Sequence, residues 1–148
     1  MHNSADATTE RLIGTWRLIS ATREDLASGE RVEQLGANPS GYLVYAADGR
    51  MSAIIARGDR VKPAGAVATP EEAAALMRSM VSYAGRYTID GAEITHHVDI
   101  SWNESWTGTR QTRIFRLEGE HLHLSTRPSP NPADGTMSVR HMVWEKVK

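Results

Sequence analysis

The chain has 148 residues, a formal net charge of −1 at pH 7 and no cysteine. A chain of this length is expected to form one domain, and the lack of cysteine excludes disulfides, thiol nucleophiles and thiolate metal ligands. The balanced charge gives no electrostatic basis for binding nucleic acid or an anionic membrane, and no apolar run is long enough to span a bilayer. We therefore expect a single-domain cytoplasmic protein.

The N-terminal segment differs in composition from the rest of the chain. Residues 1–10 are mostly small or polar, which predicts a disordered tail and a folded domain over residues 11–148. From Leu12 to Thr22, apolar and polar residues alternate. This period of two predicts a half-buried strand, one face of which carries Trp16, Leu18 and Ser20.

A hairpin and a helix are predicted in the middle of the chain. Residues 41–46 and 51–57 are strand-like and flank Asp48-Gly49, a pair typical of a type I′ turn. Thr69, Pro70 and Glu72 together form a capping-box pattern. Apolar residues follow this pattern at helical spacing, which predicts a helix over residues 70–82 that caps one open end of the fold.

The C-terminal half again shows the period of two. Short turns separate five predicted strands, over residues 85–89, 92–101, 109–117, 121–126 and 138–147. Consecutive strands joined by short turns are typical of an antiparallel meander, and eight such strands usually close because closure removes the exposed edges. The predicted fold is therefore an all-β, antiparallel, eight-stranded barrel with one capping α-helix, wide enough inside for one small ligand.

Several segments resemble the calycin barrels. Gly14-x-Trp16 is similar to the lipocalin signature, in which the tryptophan closes the narrow end and a basic residue of the last strand packs across its ring; Arg140 or Lys146 would take that place. The chain resembles more closely the bacterial lipocalin-like domain family. The matching segments are residues 12–18, 38–45, 48–53, 83–87, 95–98, 106–109 and 143–145. The resemblance implies a barrel with a cavity, but no single activity, because folds do not determine function.

The segment from Thr95 to Asp99 carries the candidate acid–base residues. His97 and Asp99 point to the same side of a strand, about 6.6 Å apart in Cα, so the carboxylate could orient the imidazole as a general base. Alternatively, this pair faces solvent. His96 lies on the opposite face with Ile94, Val98 and Ile100, where it would line the cavity or form a hydrogen-bonded part of the core.

Three other histidines raise the question of a metal. His121 and His123 have a spacing found among zinc ligands, and His141 lies on the last strand. Leu122 and Leu124 occupy the opposite face, which places both strand histidines on the outside. We therefore predict no metal and no cofactor.

The remaining candidates would bind a ligand inside the barrel. Arg113 and Gln111 share a face with Phe115, and an inward arginine needs an acidic partner, which could be a ligand carboxylate; Arg57 is a less certain candidate. Aromatic and methionine side chains would form the walls of the cavity or fill it. These are Trp16, Tyr45, Met80, Tyr83, Trp102, Trp106 and Met142.

Three functions fit these observations. The first is binding of a small, mainly hydrophobic molecule in the cavity. The second is a cofactor-free cyclase or isomerase for a polyketide- or terpenoid-like substrate, which would use His96, His97 or Asp99. The third is a structural barrel filled by its own side chains. We expect no nucleic-acid or membrane partner, and a homodimer is a further hypothesis.

Overall fold

Ten strands of the protein form one antiparallel sheet that closes on itself. The computed structural model describes residues 4–131 and 134–148. The helices are α1 (Ser4–Leu12) and α2 (Pro70–Arg78), and Glu104–Trp106 form a 3-10 turn. The strands are β1 (Gly14–Asp25), β2 (Arg31–Glu33), β3 (Ser40–Tyr45), β4 (Arg50–Ala56), β5 (Met80–Asp90), β6 (Glu93–Ser101), β7 (Arg110–Glu118), β8 (His121–Ser125), β9 (Ser129–Pro130) and β10 (Met137–Lys146).

Strand β1 closes the barrel because it pairs with β3 on one side and with β10 on the other. On the β10 side, Leu18 lies opposite Trp144, and both side chains point into the core. Eight strands form the closed barrel, while β2 and β9 are short additions to the sheet. The predicted all-β, eight-stranded antiparallel barrel is confirmed.

The lower end of the barrel, where β1 begins and β10 ends, is closed by Trp16. Its side chain is 1% exposed, and its indole N–H donates to the carbonyl oxygen of Leu12 at 2.9 Å. The ammonium of Lys146 lies 4.6 Å from the centroid of the Trp16 ring and donates to the carbonyl oxygen of Ile13. Of the two basic residues considered from the resemblance, Lys146 therefore takes the position across the tryptophan.

Helix α1 corrects the expected N-terminal tail. Ser4 to Glu10 are helical rather than irregular, and the helix continues to Leu12. Leu12 is completely buried and is part of the same core cluster as Trp16. Burial of the apolar Leu12 side chain stabilises the packing of this otherwise polar segment against the barrel. Residues 1–3 lie outside the described residues.

Helix α2 begins as predicted but ends earlier. Thr69 accepts a hydrogen bond from the Glu72 amide, and the Glu72 side chain accepts one from the Thr69 amide, so the capping box is present. The helix ends at Arg78, because Met80 already pairs with Ala56 on β4. Sheet pairing therefore overrides the helical period over the last predicted turn. No residue of α2 is buried, and no helix of the described residues has the length and apolarity needed to cross a membrane.

Two β-bulges change which side chains face inward. In β1 the register shifts between Leu18 and Ser20, so Ala21, rather than Ser20, becomes completely buried. In β6 the extra residue is Asp99, and Ile100 is consequently 66% exposed instead of sharing the inward face of His96. A bulge adds one residue to a strand, and one residue reverses the alternation beyond it.

The bulge in β6 lies opposite Gly85 of β5. A Cβ atom on this glycine would lie 1.8 Å from the carbonyl oxygen of His97. Only glycine allows the two backbones to approach so closely, so Gly85 permits the pairing of β5 with β6 at the bulge.

We expect Lys146→Met to lower the free energy of unfolding by about 1–3 kcal/mol, because it removes a charged donor from two backbone carbonyl oxygens and from the face of Trp16. Arg17→Met is the matched control, since the one ion pair of Arg17 among the described residues is an exposed pair with Glu145 and such pairs contribute about 0–1 kcal/mol. Urea unfolding followed by tryptophan fluorescence measures both. Equal losses in the two variants would contradict the assigned role of Lys146.

Candidate ligand cavity

A cavity of about 100 Å³ lies inside the barrel, between the Trp16 plug and the upper end. Its walls are mostly apolar, and the aliphatic side chains are those of Leu43, Ala53, Ile55, Val81, Leu124 and Met142. Aromatic walls come from Tyr83, Trp106 and Trp144, and polar groups from Gln34, His96, Arg113, Thr126 and Arg140. A concave apolar surface with a few polar groups is the usual form of a small-molecule site.

His96 is the centre of the polar part of the cavity. It lies opposite Tyr87 on β5 and Gln111 on β7, and it is 2% exposed. The Nε2 atom of His96 is 2.6 Å from the hydroxyl oxygen of Tyr45, and the Nδ1 atom is 2.7 Å from that of Tyr83. Both ring nitrogens are thus engaged by tyrosines, one completely buried and one in the cavity wall.

Burial determines the charge state of this cluster. Removal from water, together with a smaller effect of the nearby guanidinium of Arg113, lowers the pKa of His96 to about 3. Burial also raises the pKa of Tyr83 to about 12 and the pKa of Tyr45 well above its usual value. The three side chains are therefore neutral near pH 7, because a charged form would lose its hydration.

Arg113 is a cation in the cavity wall without an acidic partner. Its Nη1 atom donates to the carbonyl oxygen of Thr112 at 3.0 Å, and no carboxylate in the described part of the chain forms an ion pair with it. Burial lowers its pKa, and the neighbouring Arg140 lowers it further by charge repulsion. An arginine in such a position retains donors that can bind an acceptor oxygen.

Two further polar atoms of the cavity residues have no hydrogen-bond partner among the residues that the structure describes. These are the Oε1 atom of Gln34, which accepts hydrogen bonds, and the Nε1 atom of Trp144, which donates them. An unpaired buried polar atom costs about 1–3 kcal/mol. Gln34 and Trp144 both line the cavity, so its walls include residues with one unpaired acceptor and one unpaired donor in addition to Arg113.

Five of the residues predicted from the sequence line this cavity. They are Tyr83, His96, Trp106, Arg113 and Met142. Tyr45 does not line it but contacts His96 from the core. Trp16 forms the plug of the lower end and is not among the lining residues, because its position at the start of β1 places it below the cavity.

For His97 and Asp99 the structure favours the alternative interpretation of the sequence, in which the pair faces outward. Both lie on the outer face of β6, where they cannot reach the cavity, because neighbouring residues of a strand point to opposite faces. The imidazole of His97 forms a hydrogen bond with the hydroxyl of Thr88, and Asp99 forms an exposed ion pair with Arg50 at 3.0 Å. The two side chains therefore serve surface contacts and do not orient each other.

Four other predicted ligand-binding residues also lie outside the cavity lining. The guanidinium of Arg57 pairs with Asp59 at 2.8 Å, and Gln111 donates to the hydroxyl of Thr109. Met80, the first residue of β5, and Trp102 line a groove on the outer surface instead. The indole N–H of Trp102 donates to the carbonyl oxygen of Met77 at the end of α2. Trp102 contributes indirectly, since its ring packs edge-on against Trp106 with centroids 5.2 Å apart.

Sequence reasoning missed Gln34 and Trp144. Trp144 follows the alternation of the last strand, which should have placed it inward beside Met142. Gln34 lies in the loop between β2 and β3, whose conformation no periodicity reveals. Two backbone hydrogen bonds hold it at the cavity. The backbone N–H of Gln34 donates to the carbonyl oxygen of Ala21, and the backbone carbonyl oxygen of Gln34 accepts from Arg57.

Two of the other histidines, His123 and His141, have partners on the outer surface. His123 lies 3.6 Å from Glu118, and His141 lies 2.8 Å from Glu24 and 3.0 Å from the hydroxyl of Ser125. Among the described residues, no group of three potential ligands is arranged to hold a metal ion.

The fold and the cavity define the class of the protein. A closed eight-stranded barrel, with a tryptophan plug below and a cavity above it, has the architecture of the lipocalin-like barrels. Residues 13–147 match the lipocalin-like domain family, and the chain belongs to that family.

A named relative comes from the fungus Aspergillus oryzae. It is the 4'-hydroxy-3'-methoxypropiophenone carrier protein ppsC, 32% identical over 87 residues. The match covers 53% of this chain and 78% of the fungal protein.

The neutral His96 predicts a pH dependence of stability. Its pKa is about 3 in the native state, against 6.5 in an unfolded chain, so unfolding takes up a proton between these values. The free energy of unfolding should therefore fall as the pH falls from 6.5 toward 3, by about 1.4 kcal/mol per pH unit from this group. His96→Gln should show a shallower fall between pH 6 and 4 in urea unfolding.

His121→Gln is the control for this measurement, since it removes an imidazole that is exposed on the outer face of β8 and should leave the slope close to that of the wild type. An unchanged slope in His96→Gln would contradict the assignment of a neutral, buried His96.

Proposed function

We propose that the protein binds a small, mainly hydrophobic molecule in the cavity of its barrel. The observation that carries this proposal is the combination of aliphatic and aromatic walls with polar atoms that have no partner within the described chain. Apolar walls provide affinity by removing ligand surface from water, and the few polar groups orient the ligand.

The size of the cavity favours a ligand with one ring. A volume of about 100 Å³ is below the roughly 300–1,000 Å³ of pockets for drug-sized ligands and nearer to the roughly 150 Å³ that accommodates benzene. The ring of Trp106 forms one wall and is held against Tyr83, with centroids 5.5 Å apart. This arrangement suits a flat ligand, because aromatic rings pack well in tilted pairs.

The polar groups favour a ligand with at least one acceptor oxygen. Arg113 and the indole N–H of Trp144 are donors, and Gln34 provides an acceptor that a ligand hydroxyl could satisfy. An arginine without a carboxylate partner is also suited to an oxygen that carries negative charge. A hydroxylated aryl ketone or an aryl carboxylate has this combination of groups.

The name of the fungal relative supports the same ligand class. The compound in that name has one aromatic ring, a ketone and a phenol hydroxyl. The ring suits the aromatic walls of the cavity and the oxygens suit its polar groups, so we propose small hydroxylated aryl ketones as the first ligands to test on this chain.

The cyclase or isomerase hypothesis is less well supported. No lining residue in the described part of the chain is acidic, and both nitrogens of His96 are occupied by tyrosines. The cavity thus lacks a free general base, and its volume is small for a polyketide or terpenoid substrate. A cytoplasmic location and a homodimer stay predictions.

Ligand binding can be tested by blocking the cavity. We expect 4'-hydroxy-3'-methoxypropiophenone to bind the wild type, and Ala53→Leu to weaken this binding by at least about tenfold, because Ala53 is buried in the cavity wall. Isothermal titration calorimetry measures the affinities.

Ser52→Leu is the matched control, since the neighbouring Ser52 faces outward on the same strand, and it should bind as the wild type does. Circular dichroism checks that both variants fold. Unchanged binding in Ala53→Leu would place the ligand elsewhere, and a wild type that binds no aryl ketone would contradict the proposed ligand class.

A further inference from the structure

We infer that Tyr45 and His96 hold the hydroxyl hydrogen of Tyr83 free to point into the cavity, where it donates to an acceptor oxygen of the ligand. The role in ligand choice rests on the proposed function, whereas the direction of the hydrogen bonds is a property of the free protein. Tyr83 is then a specificity-determining residue, and Tyr45 and His96 are positioning residues.

The cluster has more polar hydrogens than internal contacts. A neutral imidazole carries one N–H donor and one acceptor nitrogen, and each tyrosine has one O–H donor. Three hydrogens therefore serve the two contacts, Tyr45 with Nε2 and Nδ1 with Tyr83. Each contact uses one hydrogen, so one tyrosine retains an O–H without a partner inside the cluster.

Burial decides which tyrosine this is. Tyr45 is completely buried, and within the described chain its hydroxyl has no partner other than His96. If Tyr45 accepted from Nε2–H, its own hydrogen would be buried and unsatisfied, which costs about 1–3 kcal/mol. Tyr45 therefore donates to Nε2, and the proton of His96 resides on Nδ1.

This proton position determines the hydrogen bonding of Tyr83. Its oxygen accepts from the Nδ1–H of His96, which leaves its hydroxyl hydrogen available, and its side chain lines the cavity. The free hydrogen can thus meet a ligand there without an internal competitor. An aligned chain of hydrogen bonds also strengthens each member, so Tyr83 becomes a better donor than an isolated tyrosine.

The neighbouring Arg113 favours the same kind of ligand group, one that accepts hydrogen bonds. Arg113 lines the same cavity and contributes only donors. Together, Tyr83 and Arg113 favour a ligand oxygen that only accepts, such as a ketone carbonyl, and disfavour a hydroxyl that must donate at that point. The cavity therefore selects for the functional group of a ligand as well as for its apolar body.

The direction of the hydrogen bonds can be measured without a ligand. Nitrogen-15 NMR of the histidine side chains at pH 7 distinguishes the tautomers, and we expect His96 of the wild type to carry its proton on Nδ1. A proton on Nε2, or protons on both nitrogens, would overturn the inference.

Ligand selection is tested with a pair of probes that differ in one group. The first is the aryl ketone used above, and the second is 2-methoxy-4-propylphenol, in which a CH₂ replaces the carbonyl. We expect Tyr83→Phe to weaken ketone binding by about tenfold and binding of the second probe by less than about twofold. An equal effect on both probes would show that Tyr83 only shapes the cavity and would overturn its assigned role.

Tyr45→Phe tests the positioning role. It removes the donor that holds the proton of His96 on Nδ1, so the Nδ1–H signature should weaken and the preference for the ketone should shrink. Tyr87→Phe is the matched control, because it removes another tyrosine hydroxyl, which donates to the carbonyl oxygen of Ala46 outside the cluster. It should retain the wild-type tautomer and preference.

The outcomes separate the two proposals. A wild type that binds neither probe but shows the Nδ1–H tautomer would contradict the proposed ligand class and the role of Tyr83 in ligand choice, while the hydrogen-bond direction would stand. A wild type that binds the ketone but has its proton on Nε2 would support the ligand class and overturn the inference.

Discussion

The pairing of β1 with β10 is the interaction on which the rest of the structure depends. It joins the first and last strands of the barrel, so that each of the eight barrel strands has a neighbour on both sides and one face of the closed sheet becomes an interior. Each of the two strands contributes one tryptophan to this interior: Trp16 of β1 forms the plug, and Trp144 of β10 lies in the cavity wall. An open sheet would leave the inward side chains in contact with water, and the neutral state of His96 would have no cause.

The interior is divided into two parts with different properties. The lower part is filled by its own side chains, held by the contacts of Trp16 with Leu12 and Lys146. The self-filled barrel therefore describes this part alone. The upper part retains a cavity, and its polar groups are mostly donors. A rigid, satisfied base below an incompletely satisfied cavity is the arrangement expected where a ligand completes the hydrogen bonding.

The alternation of the strands predicted much of this arrangement. It placed His96 and Arg113 on the apolar faces of their strands, which the structure turns toward the cavity, and the capping box correctly located the start of α2. It failed at Ile100 and Ser20, because each follows a bulge and a single inserted residue reverses the faces beyond it. Gly85 marks one of these bulges, but a glycine in a strand is also found at sharp bends and where a ligand approaches the backbone, so it does not by itself locate a bulge.

Local chemistry in the sequence by itself determined the strands, their turns, the class of the fold and the presence of polar residues on an apolar inward face. Only the tertiary structure decided which of two adjacent histidines is buried, that Tyr45 and Tyr83 lie on either side of His96, and that Arg113 has no acidic partner among the described residues. The physical reason is that strands far apart in the chain supply these groups. Their register depends on bulges and on closure of the barrel, which local patterns do not encode.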